Sequence, residues 1–526
     1  MGWEGIRQAR QRLSREHGTI IKDWGGRLPI ALIYPNSYYV GMSSLGIHAI
    51  YRLLNSYPGV VCERAFWEQE DPARPSLPVS IESQRPLADF AVLAFSVSYE
   101  VDCLNVVRIL KAAGIPLYTS ERNAAHPLVI AGGPVATANP GPLSPFCDVF
   151  CVGEAEPLLP AMLPVIADGV GEERCRLLER LALLPGLYVP SCHTEAPVVR
   201  QWLKNLDDFP SVSTVFTRDT ELGNLCLMEV ERGCGWRCPF CLGSSIFSPV
   251  RFCSLDALLS QAEVGLKFRR RIGLVGPAVT DHPQIEELVE GLYQRGAGLS
   301  ISSLRIKPLS RVVLETLARG GARSISLAPE AGSPRLRQLV KRGISEDDIL
   351  EAVGRVAGLG IRQLKLYFMV GLPTETDDDI TELVRLVLAC KARLDREQRG
   401  TRLVLNVAPF VPKAGTPFER LPMAPLAVLK QRLARLKKSL PPAGITLKDE
   451  SPAWSQVQAV LSRGDAAVAG VLANLEEASL PGWRRAVKQC GLDVDFYAHR
   501  EWDEAQELPW TIYSGDTGQV AKTGDL

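Results

Sequence analysis

Three closely spaced cysteines are the residues in this sequence best suited to chemistry. Cys234, Cys238 and Cys241 are separated by three residues and then by two, so one loop can direct three thiolates at a common centre. A structural zinc site takes four ligands, whereas an iron–sulfur cluster held by three cysteines leaves one iron free to bind another molecule. The spacing therefore favours a cluster with an open iron. Zinc with a distant fourth ligand, or cysteines that are merely buried, are the alternatives.

The spacing Cys-x-x-x-Cys-x-x-Cys, with Phe240 directly before the last cysteine, resembles the signature of the radical S-adenosylmethionine (SAM) superfamily. The resemblance implies a 4Fe-4S cluster on the three cysteines, with the open iron chelating the amino and carboxylate groups of SAM. An electron from the cluster then cleaves the sulfonium and releases a 5′-deoxyadenosyl radical. The resemblance also implies a reducing partner such as a flavodoxin or ferredoxin, and Phe240 is expected to lie near SAM.

Four later loops follow in the order of the family's SAM-binding loops. Gly276 would offer backbone groups to the methionyl ammonium, because the acidic residue usual in the family is absent there. Arg305, at a strand end, would pair with the SAM carboxylate through its planar fork, or else form a surface ion pair. Glu330 would accept a hydrogen bond from a ribose hydroxyl or ammonium. Ser333 beside it is also expected to bind SAM and would cap the next helix. Gly371 would permit close contact with adenine.

Alternating strands and helices are expected to position these loops. Right-handed crossovers place the carboxyl ends of parallel strands on one face, where the loops would meet. The repeat predicts a six-stranded partial (β/α)6 barrel, the radical SAM core, over residues 224–439. Its predicted strands span residues 225–231, 272–275, 299–304, 324–327, 363–370 and 403–408.

An earlier α/β segment, residues 28–170, predicts a Rossmann-like, doubly wound parallel sheet. Glycine-containing loops follow its strands, where such sheets bind ligands. The pattern resembles the cobalamin-binding domain that precedes the catalytic domain in one class of radical SAM enzymes. The cobalamin contacts implied by this resemblance are Asn36, Tyr38, Gly41, Ser96, Ser98, Gly132, Gly133, Gly153 and Glu154.

The loop after the first strand departs from cobalamin domains that coordinate cobalt with histidine. Those domains carry Asp-x-His-x-x-Gly, and this chain reads Asn36-x-Tyr38-x-x-Gly41. Tyrosine is a poor cobalt ligand, so the resemblance implies cobalamin bound without a protein histidine beneath the metal. Loss of cobalamin binding with retention of the fold is the alternative.

The remaining segments carry no catalytic motif. Residues 1–27 are expected to form an N-terminal extension, residues 171–223 a linker, and residues 440–526 a small, mostly helical cap or extension. The basic run at residues 269–271 is interpreted as the positively charged end of a helix, in preference to an RNA-binding patch.

Composition narrows the classes of function. The 59 Lys and Arg residues equal the 59 Asp and Glu residues, so no overall charge attracts nucleic acid or an anionic membrane. Thirteen scattered cysteines argue against a disulfide framework and for a reducing compartment. The sequence shows no signal-peptide core and no stretch near the ~20 apolar residues of a membrane span. A cytoplasmic protein is expected.

As a whole, the chain resembles an uncharacterised family of cobalamin-domain radical SAM proteins. The features predict a cobalamin-dependent radical SAM enzyme that methylates an unactivated position of an unknown substrate. In such chemistry one SAM methylates cobalamin and a second yields the radical that removes a substrate hydrogen. The first alternative is a radical SAM enzyme without cobalamin that modifies RNA or protein. The second is a non-enzymatic metal-binding scaffold, which would not need the loops of Arg305, Glu330 and Gly371.

Overall fold

The computed structural model of the protein describes residues 3–68, 77–192, 198–397 and 400–510. Helices alternate with mostly parallel strands, so the mixed α/β class predicted from the sequence is confirmed. Within these four ranges, none of the helices combines the length and apolar character that crossing a membrane requires.

The first region is built around one sheet. Its strands are β1 Leu28–Tyr34, β2 Val60–Phe66, β3 Val92–Ser96, β4 Leu128–Gly132, β5 Val149–Cys151 and β6 Leu187–Tyr188. Its helices are α1 Trp3–Leu13, α2 Tyr38–Gly41, α3 Leu45–Ser56, α4 Cys103–Ala112, α5 Pro134–Ala138, α6 Ala155–Gly169 and α7 Arg174–Ala182. The strands lie in the order β2-β1-β3-β4-β5-β6, and only the pairing of β5 with β6 is antiparallel.

Helices cover both faces of this sheet. Along β1, Ile30 packs in the hydrophobic cluster that includes α3, whereas its neighbour Ala31 packs in the cluster that includes α4. A parallel strand buried on both faces is apolar almost throughout, which explains the run at residues 28–34. The carboxyl ends of β1, β3, β4 and β5 therefore meet at one edge, between the two helical layers.

The second region contains the cysteine loop and begins with the strand at Cys226. Its strands are β7 Cys226–Glu229, β8 Glu231–Arg232, β9 Arg251–Phe252, β10 Arg271–Val275, β11 Gly298–Ile301, β12 Ser324–Glu330, β13 Gln363–Val370 and β14 Arg402–Pro409. Its helices are α8 Leu242–Ile246, α9 Leu255–Gly265, α10 Ile285–Gln294, α11 Arg311–Arg319, α12 Pro334–Leu339, α13 Glu346–Ala357, α14 Asp377–Glu397 and α15 Leu426–Ser439. The C-terminal segment adds β15 Thr446–Asp449 and the helices α16 Pro452–Arg463, α17 Val468–Ala473, α18 Leu480–Cys490 and α19 Val494–Ala498.

Apart from the antiparallel pair β8 and β9, the strands of the second region form two parallel sheets. One sheet has the order β11-β10-β7 and the other has the order β12-β13-β14-β15. A single bridge between Leu304 and Leu327 joins them in the described part of the chain. The sequence predicted one six-stranded sheet ending before residue 440, whereas β15 adds a parallel strand after that point.

The basic run at residues 269–271 does not close a helix. Helix α9 ends at Gly265, and Arg271 is the first residue of β10. The interpretation of this run as a helix end is therefore wrong, because it leads into a strand.

The C-terminal helices contact the first region. The Asn139 side chain, after α5, donates to the carbonyls of Ser462 at 3.0 Å and Gly464 at 2.7 Å. The Gln458 amide donates to a carboxylate oxygen of Glu100 at 2.8 Å. The C-terminal segment thereby links the edge of the first sheet to the end of the second region.

Candidate functional site

The cysteine loop lies between β8 and β9, and the antiparallel pairing of these two short strands holds the ends of the connection together. Gly233 has φ +85°, and a Cβ there would lie 2.4 Å from the Phe247 carbonyl oxygen, so the turn requires glycine. Cys238 is buried, and Cys234 and Cys241 are half-buried. The backbone N–H of Cys241 donates to the Cys238 carbonyl at 3.0 Å, which closes the second turn of the loop.

The three thiols lie close enough to influence one another. Burial raises the pKa of the Cys238 thiol to about 11, with the Arg342 guanidinium opposing and Cys241 adding to the rise. Burial also raises the pKa of Cys234, where Arg305 opposes and Cys241 again adds. Three sulfur donors on one loop, with two guanidiniums near them, fit an anionic iron–sulfur cluster, whose charge the two cations would offset.

The loop supplies three thiols, one fewer than the four ligands of a structural zinc site. In the described ranges, no three His, Cys, Asp or Glu side chains are arranged to hold one ion. The cysteine ligands of a cluster bind separate irons, so they need not meet at one point as zinc ligands do.

Arg305 lies against the cysteine loop, at the position expected from the sequence. Its guanidinium stacks on the Trp236 ring, 3.6 Å from the ring centroid. It also forms an ion pair with Asp281, with 2.5 Å between Nε and Oδ1, and Trp236 donates to the other Asp281 oxygen at 2.6 Å. Burial lowers the pKa of Arg305. A cation is thus held next to Cys234 by one ring and one carboxylate.

Glu330 is the last residue of β12, and Ser333 lies in the loop that follows. Glu330 has φ +68°, a left-handed conformation that costs energy for a residue other than glycine. It forms an ion pair with Arg342, and burial raises its pKa. Ser333 caps α12 by accepting from the Leu336 N–H at 3.3 Å, so the capping role predicted for it is confirmed.

Gly371 and Phe240 have local packing partners. Gly371 has φ +77°, and a Cβ at this position would lie 2.5 Å from a Leu429 methyl group. The close packing of helix α15 against this residue therefore favours glycine here. Phe240 is half-buried and packs against an apolar cluster that includes Leu336 and Phe410. Contacts of Gly371 and Phe240 with SAM stay predictions.

Glu231 is a candidate that sequence reasoning missed. Its side chain is buried, and a Cβ on Gly276 would lie 2.5 Å from its Cγ. One carboxylate oxygen accepts from the Ala278 N–H, while Oε2 is buried and has no hydrogen-bond partner among the described residues. Burial raises the pKa of Glu231 to about 7. An acidic residue three positions before Cys234, at the end of an apolar run, was the available signal.

A second candidate site is a cavity of about 600 Å³ at the carboxyl edge of the first sheet, called here the edge cavity. Ligand pockets commonly measure about 300–1,000 Å³. One wall is the apolar face of α3, with Leu45, Ala49, Ile50 and Leu53, and the opposite wall includes Ile246, Phe247 and Val275 of the second region. Five residues predicted to contact cobalamin line it: Ser96, Ser98, Gly133, Gly153 and Glu154.

The other four predicted cobalamin residues have roles in the fold. The Asn36 amide donates to Asp102 at 2.8 Å, and the Tyr38 hydroxyl donates to Glu16 at 2.6 Å. A Cβ on Gly41 would lie 2.5 Å from the Phe66 ring, and the Gly132 carbonyl accepts from Val97 within the sheet. Asn36, Tyr38, Gly41 and Gly132 do not line the edge cavity.

Glu154 joins the two regions at the edge cavity. Its carboxylate forms ion pairs at 2.8 Å with Arg232, beside the cysteine loop, and with Arg251 of β9. Burial alone would raise the pKa of Glu154. Hydrogen bonding from Arg251 and the charge of Arg232 outweigh burial and hold this pKa below its usual value. The edge cavity and the cysteine loop are therefore fixed relative to each other by buried charges.

Models of known protein families match both regions of the chain. The family model of radical SAM N-terminal regions matches residues 46–190, and that of the radical SAM superfamily matches residues 228–387. An uncharacterised protein of Methanocaldococcus jannaschii is 31% identical over 440 residues, which cover 83% of this chain and 88% of that protein. An uncharacterised methyltransferase of Pyrococcus horikoshii is 23% identical over 297 residues, which cover 52% of this chain and 62% of that protein.

A solved structure resembles this fold across most of the chain. It is the cobalamin-dependent S-adenosylmethionine radical enzyme OxsB with aqua-cobalamin bound, at a TM-score of 0.52 and 14% identity. The match covers 86% of this chain and 68% of that one. At this identity the likeness is one of fold.

Proposed function

Because this chain belongs to the radical SAM superfamily, we propose that it is a cobalamin-dependent enzyme that transfers a methyl group to an unactivated position of its substrate. The observation that carries the proposal is the edge cavity, which extends from the first sheet to residues that follow the cysteine loop. In this proposal the two sheets of the second region form the partial barrel of the superfamily, and residues 28–170 form the cobalamin domain.

The superfamily uses a 4Fe-4S cluster, SAM and a reductant, and the three cysteines of the loop are the ligands this chain offers. When bound, the cluster supplies the electron that splits SAM into methionine and a 5′-deoxyadenosyl radical. The remaining task of the chain is to position SAM beside the open iron and to exclude other reactants. We propose a flavodoxin or ferredoxin as the electron donor.

Charged groups around the loop suit the methionyl end of SAM. The Arg305 guanidinium would pair with the carboxylate of SAM. The SAM carboxylate would then compete with Asp281, which already forms an ion pair with this guanidinium. The unpartnered oxygen of Glu231, beside Gly276, would accept a hydrogen bond from the ammonium. A buried acceptor without a donor is unfavourable, so a bound ammonium would remove that cost. Glu330 and Gly371 are proposed to contact ribose and adenine.

The edge cavity suits a large and mostly apolar ligand such as a corrin. Serine hydroxyls and glycine backbone at the strand ends can approach its polar rim, while α3 supplies apolar contact. None of the residues lining the cavity is a histidine. The nearby His48 is buried, with its ring bonded to the Met42 carbonyl at 3.1 Å and to the Thr214 N–H at 3.3 Å. Cobalamin is therefore proposed to bind without a protein imidazole on cobalt.

The experiment uses the anaerobically purified full chain with a reconstituted cluster. The protein is mixed with hydroxocobalamin and SAM, separated from free ligand, and examined for corrin absorption and for 5′-deoxyadenosine. Stoichiometric corrin together with SAM cleavage is the expected result. A protein that cleaves SAM but never retains corrin would overturn cobalamin dependence and favour the cobalamin-free alternative. Comparison of metabolites, lipids and RNA from a deletion strain would then identify the methylated class.

A further inference from the structure

The two sheets of the second region separate at the amino ends of β11 and β12. In the described residues, the contact between these strands is confined to their carboxyl side, where the Leu304 N–H donates to the Ser326 carbonyl at 2.9 Å. A cavity of about 780 Å³ opens into this gap and is called here the gap cavity. Ser300 of β11 and Ser324 of β12 lie on its two sides. The opening is at the opposite end of the strands from the cysteine loop.

Three arginines line the gap cavity, and no aspartate or glutamate does. Arg271 donates to two main-chain carbonyls, those of Leu299 at 3.2 Å and Gly321 at 3.5 Å. Within the ranges that the structure describes, the side chains of Arg323 and Arg362 have neither a carboxylate partner nor a hydrogen bond. The cavity is thus strongly cationic, although the chain as a whole has a formal charge of zero.

Two of these arginines are exposed and lie side by side at the starts of neighbouring strands. Arg323 and Arg362 directly precede Ser324 and Gln363, which are paired residues of the parallel strands β12 and β13. The Gln363 N–H donates to the Arg323 carbonyl at 3.1 Å, so the two arginines occupy equivalent positions on neighbouring strands. Adjacent strands are about 4.8 Å apart, so one anion can reach both guanidiniums. Such an anion would be attracted by two positive charges at once.

We propose that the gap cavity binds a small phosphate-bearing molecule. Planar guanidinium forks pair with phosphate oxygens in bidentate fashion, and the serine hydroxyls with the Asn224 amide can complete the ligand's hydrogen bonds. The volume is in the range of pockets that hold cofactor-sized ligands. From Ser324 to Glu330, β12 spans about 20 Å, so a ligand here is bound away from the proposed reaction.

Inorganic diphosphate is the probe, titrated calorimetrically into the anaerobically purified full chain with its cluster. The test variant carries Arg323→Gln and Arg362→Gln, and the control variant carries Arg396→Gln and Arg484→Gln, two exposed arginines elsewhere. The wild type and the control are expected to bind diphosphate equally, and the test variant at least tenfold more weakly. Thermal unfolding without anion should show the test variant as stable as the wild type, because both side chains are exposed.

A further variant, Arg323→Lys combined with Arg362→Lys, keeps the two charges and loses the planar forks. Intermediate affinity for diphosphate would support recognition by the planar group. Equal diphosphate affinity in the test variant and the wild type would overturn the proposal, as would an equal thermal shift from sodium chloride at matched ionic strength. Arginine-dependent binding of an RNA oligonucleotide, tighter than that of diphosphate, would also overturn it in favour of a nucleic-acid surface.

Discussion

The surroundings of the cysteine loop and the walls of the edge cavity are built from different kinds of side chains. Around the loop, Arg305 and Arg342 are paired with carboxylates, and Glu231 has an unpartnered oxygen. The edge cavity also contains the Glu154–Arg232 ion pair, but most of its lining residues are small or apolar, including the apolar face of α3. Side chains in ion pairs suit a small zwitterion, whose own charges can take the place of one partner in each pair. An apolar wall instead binds a large ligand through the apolar surface that the ligand buries. Each site can therefore be damaged while the other is left intact.

The largest expected effect comes from Cys238→Ala. Removing one of three thiolate ligands leaves too few donors to hold the cluster, so iron and sulfide content should fall to background and SAM cleavage should be lost. Corrin binding should be unchanged, because no cysteine of the loop lines the edge cavity. Iron analysis and corrin retention are measured on the same preparation, with Cys175→Ala, an exposed cysteine on α7, as the control. Full iron content in Cys238→Ala would contradict the assignment of the loop.

The converse variant is Ala49→Trp, which places an indole in the edge cavity. Corrin affinity should fall by tenfold or more, since the added ring occupies the space between α3 and the second region. Iron content and SAM-dependent formation of 5′-deoxyadenosine without corrin should stay at wild-type levels. Ala392→Trp, at an exposed position on α14, controls for the surface effect of tryptophan. If Ala49→Trp retains corrin fully, cobalamin does not bind in this cavity.

A smaller effect is expected from Arg305→Gln, which removes the charge next to Cys234. A hydrogen bond to a charged group contributes about 1.5–3 kcal/mol, so SAM affinity should fall about ten- to hundredfold. Arg305→Lys keeps the charge without the fork and should be intermediate. SAM dissociation constants are measured by equilibrium dialysis, with Arg311→Gln, an exposed arginine paired with Glu315, as the control. Unchanged SAM affinity in both Arg305 variants would leave this residue as a structural ion pair of the loop.

Features fixed by local sequence were predictable, and those created by distant packing were not. The cysteine loop and the Ser333 cap depend on neighbours within a few residues, so spacing alone located them. Glu231 was missed because its burial depends on β10, which brings Ala278 to its carboxylate from 47 residues away. The spacing of Asn36, Tyr38 and Gly41 resembled a ligand loop, yet Tyr38 bonds to Glu16, which precedes the predicted domain.

The smallest effect concerns the buried carboxyl that Asn36 contacts at the edge of the first sheet. Burial raises the pKa of Asp102 to about 7, with the Asn36 amide opposing and the charge of Glu100 adding. Between the unfolded pKa near 4 and pH 7, the folded protein holds a proton that the unfolded chain releases, so stability falls as pH rises through this window. The fall has a maximum slope of about 1.4 kcal/mol per pH unit. Above pH 7 it levels off.

The side chain introduced by Asp102→Asn cannot ionise. The free energy of unfolding of this variant should therefore not show the decrease that Asp102 causes as the pH rises to 7. Relative to the wild type, the variant should gain about 2 kcal/mol between pH 5.5 and pH 8, measured by urea unfolding at both values. Asp89→Asn, at an exposed position, should show no such gain. The gain should also appear in protein without iron, because Asp102 belongs to the first sheet and not to the loop. A stability difference that does not change with pH would mean that Asp102 is ionised in the folded protein at both values.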